Sequence, residues 1–348
     1  MENIFAARLE KIEKALTKAL DINYTNDWQE ASFGNLSQSV KKEHIKALIE
    51  PNKALINLGG KRWRPLFLIL CYETAAAKNK STALTEQQAY DLTSLVEFAH
   101  TASLIHDDIE DSADFRRGQP AVHIKYGIDT AINSADWLYL QAPVCIDTMD
   151  IPTDIKLTFY ELYTKEMRKL LLGQAMDISW HSDTEFYPKI EAYNAMVKCK
   201  TGTLASLACQ IGLIAGGESK EIAWRFGEVA SNIGIGFQII DDIVNLTKGN
   251  PGKKRGDDIV EGKKSLPVLL HIKNNPQDKS KISQLFKRAK TEGIESSAVE
   301  ECIDLLSKSG CLEQALILGK QLITENCALF ETSPLISNLF SSMLPEDL

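Results

Sequence analysis

Apolar residues recur along this chain at the spacing of α-helices. In DLTSLVEFAHTASLIHDD (91–108) they follow the i, i+3, i+4, i+7 pattern, at Leu92, Leu95, Val96, Ala99 and Ala102. EIAWRFGEVASNIGIGFQIIDDIVNL (221–246) repeats this pattern, at Ile233, Phe237, Ile240 and Val244. Alternating β-branched runs bounded by tight turns, the signal of strands, are weak throughout. The pattern therefore predicts an all-α protein of about a dozen helices.

The predicted breaks between helices are short and scattered. They fall near 57–61, 118–120, 187–188, 248–256 and 274–281, and none has the composition of an interdomain linker. Pro65 and Pro267 each suit the first turn of a helix, where a missing backbone N–H is tolerated. We therefore predict one domain over residues 1–348.

Composition narrows the classes of function. The formal charge of −8 argues against a nucleic-acid partner, which would require a basic surface. No apolar run approaches the ~20 residues that span a bilayer, so we expect no membrane-spanning helix. The seven cysteines form no CxxC pair, and the N-terminal segment has the charge pattern of an ordinary helix rather than of a signal peptide. These features predict a cytoplasmic protein with reduced thiols.

An acidic cluster, IHDDIED (105–111), follows the apolar stripe of the first segment. On a helix, Asp107 and Asp111 share a face because they are four residues apart, whereas Asp108 points away from Asp111. Two carboxylates on one face suit Mg²⁺, which takes one or two protein carboxylates together with substrate phosphates. A solvated acidic helix end is the alternative for this segment alone.

Two arginines follow the acidic cluster and favour a metal site there over a solvated helix end. Arg116 and Arg117 lie in a loop with Gly118 and Pro120. Guanidinium groups match the geometry of phosphate oxygens better than any other side chain. Carboxylates for metal beside arginines for phosphate predict a site for a polyanion that carries Mg²⁺.

A second cluster, GFQIIDDIVN (236–245), resembles the first. Asp241 and Asp242 again end an apolar helical stripe; Asn245 lies four residues after Asp241, and Gln238 lies three residues before it. Two such helices face to face would hold metal ions between them, bridged by one diphosphate.

Five ordered segments together resemble the motifs of the trans-isoprenyl diphosphate synthases, the head-to-tail polyprenyl synthetases. They are GGKRWRP (59–65), HTASLIHDDIED with FRRG (100–118), KTGTLA (200–205), GFQIIDDIVN (236–245) and GKKRGDDIVEGKKSLP (252–267), within a core of about 50–275. The resemblance implies an antiparallel helix bundle around a deep central cavity, assembled as a homodimer. It also implies a reaction in which isopentenyl diphosphate attacks the carbocation formed from an allylic diphosphate, and loss of a proton leaves a trans double bond.

The resemblance also implies roles for individual residues. Catalytic residues would be Asp107, Asp108, Asp111, Lys200, Asp241 and Asp242. Three Mg²⁺ ions would bind, two of them at Asp107 and Asp111 and the third at Asp241. The allylic diphosphate would be held by Arg116, Lys200, Thr201, Gln238, Lys253 and Lys263. Isopentenyl diphosphate would bind without metal to Lys61, Arg64, His100 and Arg117.

The resemblance also implies that the product grows beneath Asp107, so that the side chains one turn earlier on the helix set its length. Ala102 and Ser103 are small there, so we expect a product of twenty carbons or longer. The competing hypothesis is that Trp137 or Phe98 closes the tunnel deeper, which would favour farnesyl diphosphate synthesis.

Two departures from the family pattern leave further alternatives. Asn245 stands where many members have aspartate; its amide oxygen is still a possible cation ligand, so we expect activity to survive. Trp137 occupies a place where members commonly carry a Gly-Asp pair, and the sequence does not explain it.

The other functions that the sequence leaves open are a class I terpene cyclase and a non-catalytic regulatory subunit.

Overall fold

The computed structural model describes residues 2–21, 23–79, 81–249, 254–330 and 333–345, with side chains from residue 4 onward. About three quarters of these residues are helical, which confirms the all-α prediction. Within the described part of the chain, no helix is both long and apolar enough to cross a membrane.

Nine helices lie in the first part of the described chain: α1 (Glu2–Ala19), α2 (Asn26–Phe33), α3 (Lys42–Ile56), α4 (Trp63–Lys78), α5 (Glu86–Asp91), α6 (Thr93–Glu110), α7 (Val122–Tyr126), α8 (Ile128–Gln141) and α9 (Val144–Thr148). Ten follow: α10 (Thr153–His181), α11 (Ile190–Val197), α12 (Thr203–Ala215), α13 (Lys220–Thr247), α14 (Asp257–Glu261), α15 (Leu266–Asn274), α16 (Lys279–Glu292), α17 (Ser297–Lys308), α18 (Cys311–Ala328) and α19 (Pro334–Ser341). The described total exceeds the predicted dozen because short helices such as α7, α9 and α14 interrupt the connections. Pro65 and Pro267 lie in the first turns of α4 and α15, as predicted.

Contacts divide the chain into two compact units. Unit 1 comprises the described residues of Met1–Met167, Leu204–Gly227 and Thr332–Ser342. Unit 2 comprises those of Arg168–Thr203, Glu228–Glu331 and Met343–Leu348. The single domain expected from the sequence stays a prediction.

Helix α6 lies in the core of unit 1 and packs against α1, α4 and α8. Its predicted stripe is fully buried, at Leu92, Leu95, Val96, Ala99 and Ala102. Burying such a stripe supplies most of the stability of a helix of this length. The carboxylates at its C-terminal end are thereby held on a rigid element.

A two-strand hairpin follows α6, which the sequence indicated only as a loop. Strand β1 (Phe115–Arg116) pairs antiparallel with β2 (Gln119–Pro120). The turn between them has two residues with positive φ, +54° at Arg117 and +74° at Gly118. Two such residues are typical of tight turns that match the twist of a hairpin. The turn fixes the direction in which both arginines leave the backbone.

In unit 2, a short π-helix at Lys198–Gly202 separates α11 from α12. Widened turns of this kind are frequent at functional sites, and this one carries Lys200 and Thr201. Gly173 of α10 allows the close approach, because a Cβ at this position would lie 2.3 Å from the backbone nitrogen of Lys200.

Candidate active site

A cationic cavity of about 260 Å³ lies in unit 1, at the start of α4 and beside α6. It is lined by Gly60, Lys61, Arg62, Trp63, Arg64, Glu97, His100 and Arg117. All four residues predicted to bind isopentenyl diphosphate are therefore together. Four of the lining side chains are permanently cationic and one is a carboxylate, so the cavity favours an anion.

Contacts within the protein hold the cavity arginines in place. The Arg117 guanidinium donates to the carbonyl oxygen of Gly59, and at 3.5 Å to that of Leu55. The Arg64 guanidinium lies 4.4 Å from the centre of the Trp63 ring and 3.3 Å from Nε2 of His100. Because Arg64 can only donate, His100 Nε2 is the acceptor of this contact.

Burial, followed by the nearby Arg64 and Arg117 charges, holds the pKa of His100 well below its ordinary value. His100 therefore stays neutral at physiological pH. Its ring serves to orient Arg64 and to offer a hydrogen bond, not to add positive charge.

The lowered pKa of His100 makes stability depend on pH. Below about pH 6.5, His100 binds a proton in the unfolded chain but stays neutral in the folded chain. The free energy of unfolding therefore falls as pH falls. Between pH 7.5 and 5.5 we expect wild type to lose about 1 kcal/mol more than His100→Gln. Urea denaturation at both pH values measures the difference, with His44→Gln at an exposed position as the control. Equal losses in wild type and His100→Gln would contradict the assignment.

The three aspartates of α6 have different environments. Asp107 and Asp111 are half-buried, whereas Asp108 is fully buried. Asp108 Oδ1 accepts two hydrogen bonds from Arg116, one of them from Nε at 2.8 Å. The Arg116 guanidinium also lies 3.7 Å from Oδ2 of Asp107. Asp108, predicted as catalytic, is thus placed to orient Arg116 beside Asp107.

A second cavity, of about 70 Å³, lies in unit 2. Its lining includes Asp242, predicted as catalytic, and four residues predicted to bind the allylic diphosphate: Lys200, Thr201, Gln238 and Lys263. A chain of hydrogen bonds connects Thr201 Oγ1 to Gln238 Oε1 (2.8 Å) and Gln238 Nε2 to Asp242 Oδ1 (3.0 Å). Gln238 thus contacts Asp242, one turn later, where the sequence spacing had suggested a face shared with Asp241.

Asp177 and Tyr193, which also line this cavity, were missed from the sequence. Asp177 accepts a hydrogen bond from Lys200 Nζ at 2.7 Å, and the Tyr193 hydroxyl donates to Asp242 Oδ2 at 2.8 Å. The available signal for Asp177 was a carboxylate within the apolar stretch AMDISW (175–180) of α10. Buried carboxylates are rare unless paired, so such a residue is a site candidate.

The two aspartates of α13 also differ. Asp241 is exposed and Asp242 is buried. Burial raises the pKa of Asp242 to about 6, although hydrogen bonds from Gln238 and Tyr193 oppose the shift. Asp241 is therefore the one placed for a ligand, and Asp242 supports the cavity wall.

The amide of Asn245 has a structural partner. Its Oδ1 accepts a hydrogen bond from the backbone N–H of Asp258 at 3.3 Å, and its backbone oxygen accepts from Gly256. Asn245 therefore anchors the segment that leads to Lys263, so its amide oxygen has a use other than the cation proposed from the sequence. Lys263 Nζ lies 2.6 Å from Oε2 of Glu261. Lys253, which was predicted to bind the same substrate, lies outside the described residues.

Carboxylates are the only predicted metal ligands, which suits Mg²⁺. Within the described residues, no group of three or more His, Cys, Asp or Glu side chains is assembled to hold an ion. Asp107 and Asp111 belong to unit 1 and Asp241 belongs to unit 2, and their convergence on shared ions stays a prediction. An ion bound by two protein carboxylates takes its other oxygens from substrate and water.

Comparison with known proteins decides the family. Residues 45–306 match the family model for polyprenyl synthetase, which is most of the chain. The chain belongs to the polyprenyl synthetase family. The resemblance seen in the five motifs is confirmed, and with it the prediction of a prenyl-transferring enzyme.

Individual polyprenyl synthetases agree with this result. A geranylgeranyl diphosphate synthase of Sulfolobus acidocaldarius is 30% identical over 82% of this chain and 84% of its own length. One from Methanosarcina mazei is 37% identical over 64% of this chain and 66% of its own length, just under two thirds. The crystal structure of geranylgeranyl pyrophosphate synthetase from Pyrococcus horikoshii superposes with a TM-score of 0.81 at 27% identity, covering 99% of both chains.

The two residues that were predicted to set product length differ in burial. Ala102 is fully buried in the core of unit 1. Ser103 is half-buried and lies four residues before Asp107 on the same face of α6; its hydroxyl donates to the His100 carbonyl at 2.8 Å. Ser103 is therefore the better candidate for the cavity floor in this polyprenyl synthetase.

Trp137, unexplained by the sequence, has an evident packing role. On α8 its ring stacks on Phe33 of α2, with centroids 5.9 Å apart, and meets Trp28 edge-on at 6.4 Å. These contacts attach α2 to α8. Phe98, the other proposed tunnel stop, is fully buried within α6.

Proposed function

We propose that this chain condenses isopentenyl diphosphate with an allylic diphosphate to give a trans-polyprenyl diphosphate of twenty carbons or longer. The allylic C–O bond breaks, a C–C bond forms to isopentenyl diphosphate, and the lost proton passes to the released diphosphate. No protein nucleophile or external base is needed. The names of the geranylgeranyl diphosphate synthases above support the twenty-carbon length.

The cationic cavity is the observation that carries this proposal. It would bind an anion through Lys61, Arg64 and Arg117, and the aspartates of α6 are not among its lining residues. A synthase needs such a place for its second substrate, whereas a cyclase has a single diphosphate substrate and no use for it.

The allylic diphosphate would bind at the other predicted residues. By resemblance to the family, these are Arg116, which lies beside Asp107, and Lys200, Thr201, Gln238, Lys253 and Lys263. Mg²⁺ bound at Asp107, Asp111 and Asp241 would neutralise charge on the departing diphosphate. The fixed cations contribute in the same direction, because they are already oriented by Asp108 and Asp177 when substrate arrives.

Two features of unit 1 support a homodimer. Apolar side chains are exposed on α8, at Ile132 (40%) and Leu140 (75%), and on α10, at Leu157 (58%). Apolar side chains of this kind supply the core of many homodimer interfaces. The cytoplasmic location expected from the cysteines stays a prediction.

Product analysis tests the proposal. Purified chain, Mg²⁺, labelled isopentenyl diphosphate and dimethylallyl, geranyl or farnesyl diphosphate are combined, and products are identified by mass. We expect linear products of twenty carbons or longer from the chain alone. Products that stop at fifteen carbons would identify a farnesyl diphosphate synthase, cyclic hydrocarbons a terpene cyclase, and no product without a second protein a regulatory subunit.

Two neighbouring glycines allow a test of the cationic cavity. A Cβ at Gly60, where φ is +143°, would lie 2.9 Å from Nη2 of Arg117; at Gly59, where φ is +74°, a Cβ meets nothing within 4 Å. Gly60→Ala should displace Arg117 and raise the KM for isopentenyl diphosphate about tenfold, the value of one charged hydrogen bond.

Gly59→Ala is the matched control. It adds a left-handed backbone strain of about 1 kcal/mol without the contact, and should leave this KM within about twofold. Steady-state kinetics with the allylic substrate saturating gives both values. Equal KM values in the two variants would show that Arg117 does not bind this substrate.

A further inference from the structure

Arg62 lies in the turn between Lys61 and Arg64, yet its side chain is used entirely within the protein. It is 2% exposed. Nε donates to Oε1 of Glu13 at 2.7 Å, Nη1 donates to Oε1 of Glu97 at 2.6 Å, and Nη2 donates to the Ile56 carbonyl at 2.6 Å. All three nitrogens have acceptors, so Arg62 is not the side chain that meets the diphosphate.

The backbone of Arg62 explains why those acceptors matter. Its φ of +45° and ψ of 28° are left-handed, a conformation that residues with a Cβ rarely adopt. Such a conformation persists only when surrounding contacts hold it. The same conformation sets the direction of the chain between Lys61 and Arg64, and so where these two side chains enter the cavity.

The two carboxylates that hold Arg62 come from different places. Glu97 is on α6 and lines the cavity, three residues before His100. Glu13 is on α1 and does not line it. Glu13 also precedes residues 45–306, the range that matches the family model.

Helix α1 has its own attachments to the rest of unit 1. Arg8 pairs with Glu73 of α4 at 2.9 Å, and Lys11 pairs with Glu86 of α5 at 2.6 Å. These pairs do not involve the Gly59–Arg64 turn. Helix α1 is therefore attached to unit 1 independently of the Glu13–Arg62 contact, and that contact acts on the turn.

We propose that Glu13 is a positioning residue for isopentenyl diphosphate: from α1 it fixes Arg62, and through Arg62 it fixes the directions of Lys61 and Arg64. This inference rests on the proposed function for the identity of the ligand. The essential contact is the acceptor oxygen that Glu13 offers to Nε of Arg62. Its charge matters less, because the Glu13 side chain is 48% exposed and screened by solvent.

The test compares Glu13→Ala with Glu13→Gln. The alanine variant leaves Nε of a buried guanidinium without its acceptor, so the KM for isopentenyl diphosphate should rise about tenfold. The KM for the allylic diphosphate should stay within about twofold. Glutamine keeps an acceptor oxygen and should restore the KM for isopentenyl diphosphate to within about threefold of wild type.

Two controls separate positioning from stability or charge. Glu10→Ala removes the same charge from the same helix, at a residue that pairs with Lys14. Arg8→Ala removes an attachment of α1 that does not touch Arg62. Neither should change the ratio of the two KM values, whereas Glu13→Ala should change it about tenfold.

Binding of isopentenyl diphosphate without metal, measured by calorimetry, keeps the two proposals distinguishable. Wild type that binds it but forms no product would overturn the proposed function, while weaker binding by Glu13→Ala would still support the inference. The inference is overturned if Glu13→Ala binds and reacts like wild type. It is also overturned if Arg8→Ala reproduces its KM ratio, or if Glu13→Gln is as impaired as Glu13→Ala.

Discussion

Asp107→Asn should lower turnover by about a hundred- to a thousand-fold while leaving the free energy of unfolding within about 0.5 kcal/mol of wild type. Asp107 is half-buried at the end of α6, on the face it shares with Asp111. Repulsion from Asp111, four residues later on the helix, offsets the attraction of the nearby Arg116 for the Asp107 charge. Removing that charge costs the fold little and removes a ligand from the leaving group's ion.

Asp108→Asn is the matched variant, since it changes the adjacent aspartate in the same way. Asp108 is fully buried and accepts two hydrogen bonds from Arg116. Breaking a buried ion pair leaves an uncompensated charge, so this variant should lose about 3 kcal/mol of stability.

Urea denaturation and single-turnover kinetics measure the two effects. We expect Asp107→Asn to lose activity alone and Asp108→Asn to lose stability as well. If Asp107→Asn kept normal turnover over a range of Mg²⁺ concentrations, the metal role of Asp107 would be refuted.

Ser103→Phe should shorten the dominant product to fifteen carbons. Ser103 lies one turn before Asp107 on its face of α6, and it is half-buried, so a larger side chain can extend from the helix there. A phenyl ring would occupy space that the growing chain needs beyond the third isoprene unit. Mass analysis of products from geranyl diphosphate measures the change.

Ala102→Phe is the control for Ser103→Phe. Ala102 is fully buried, so a ring there overpacks the core and should cost about 1–3 kcal/mol of stability. Ser103→Ala, which adds no bulk, should leave the product unchanged. If Ser103→Phe made the wild-type product, the floor of the cavity would lie elsewhere, beyond α6.

Much of the fold and of the site was visible in the sequence. The stripe of α6 and the proline starts of α4 and α15 were predicted correctly, because helix periodicity and proline's missing donor are local properties. The structure brings the four residues predicted for isopentenyl diphosphate together in one cavity, and four of the six predicted for the allylic diphosphate together in another. The hairpin at β1 and β2 was missed because two-residue strands carry almost no pattern.

The sequence showed which residue types the site contains, but not which side chains pair with each other. The sequence presents Asp107 and Asp108 as one motif, and Arg62 and Arg64 as another. In the structure, Asp108 and Arg62 are committed to internal ion pairs, while Arg64 lines the cavity. Asp177, Tyr193 and Glu97 were not found, since each acquires its role only through a partner distant in the chain.

The sequence by itself determined that this protein is helical, which side chains could hold diphosphate and metal, and the order in which they occur. Only the tertiary structure decided which carboxylate of the protein each cation meets: Arg62 pairs with Glu13 and Glu97, Arg116 with Asp108, and Lys200 with Asp177. The reason is physical: the period of a helix is set within a few residues, whereas burial and the choice of an ion-pair partner depend on segments such as α1 and α4 that meet only after folding.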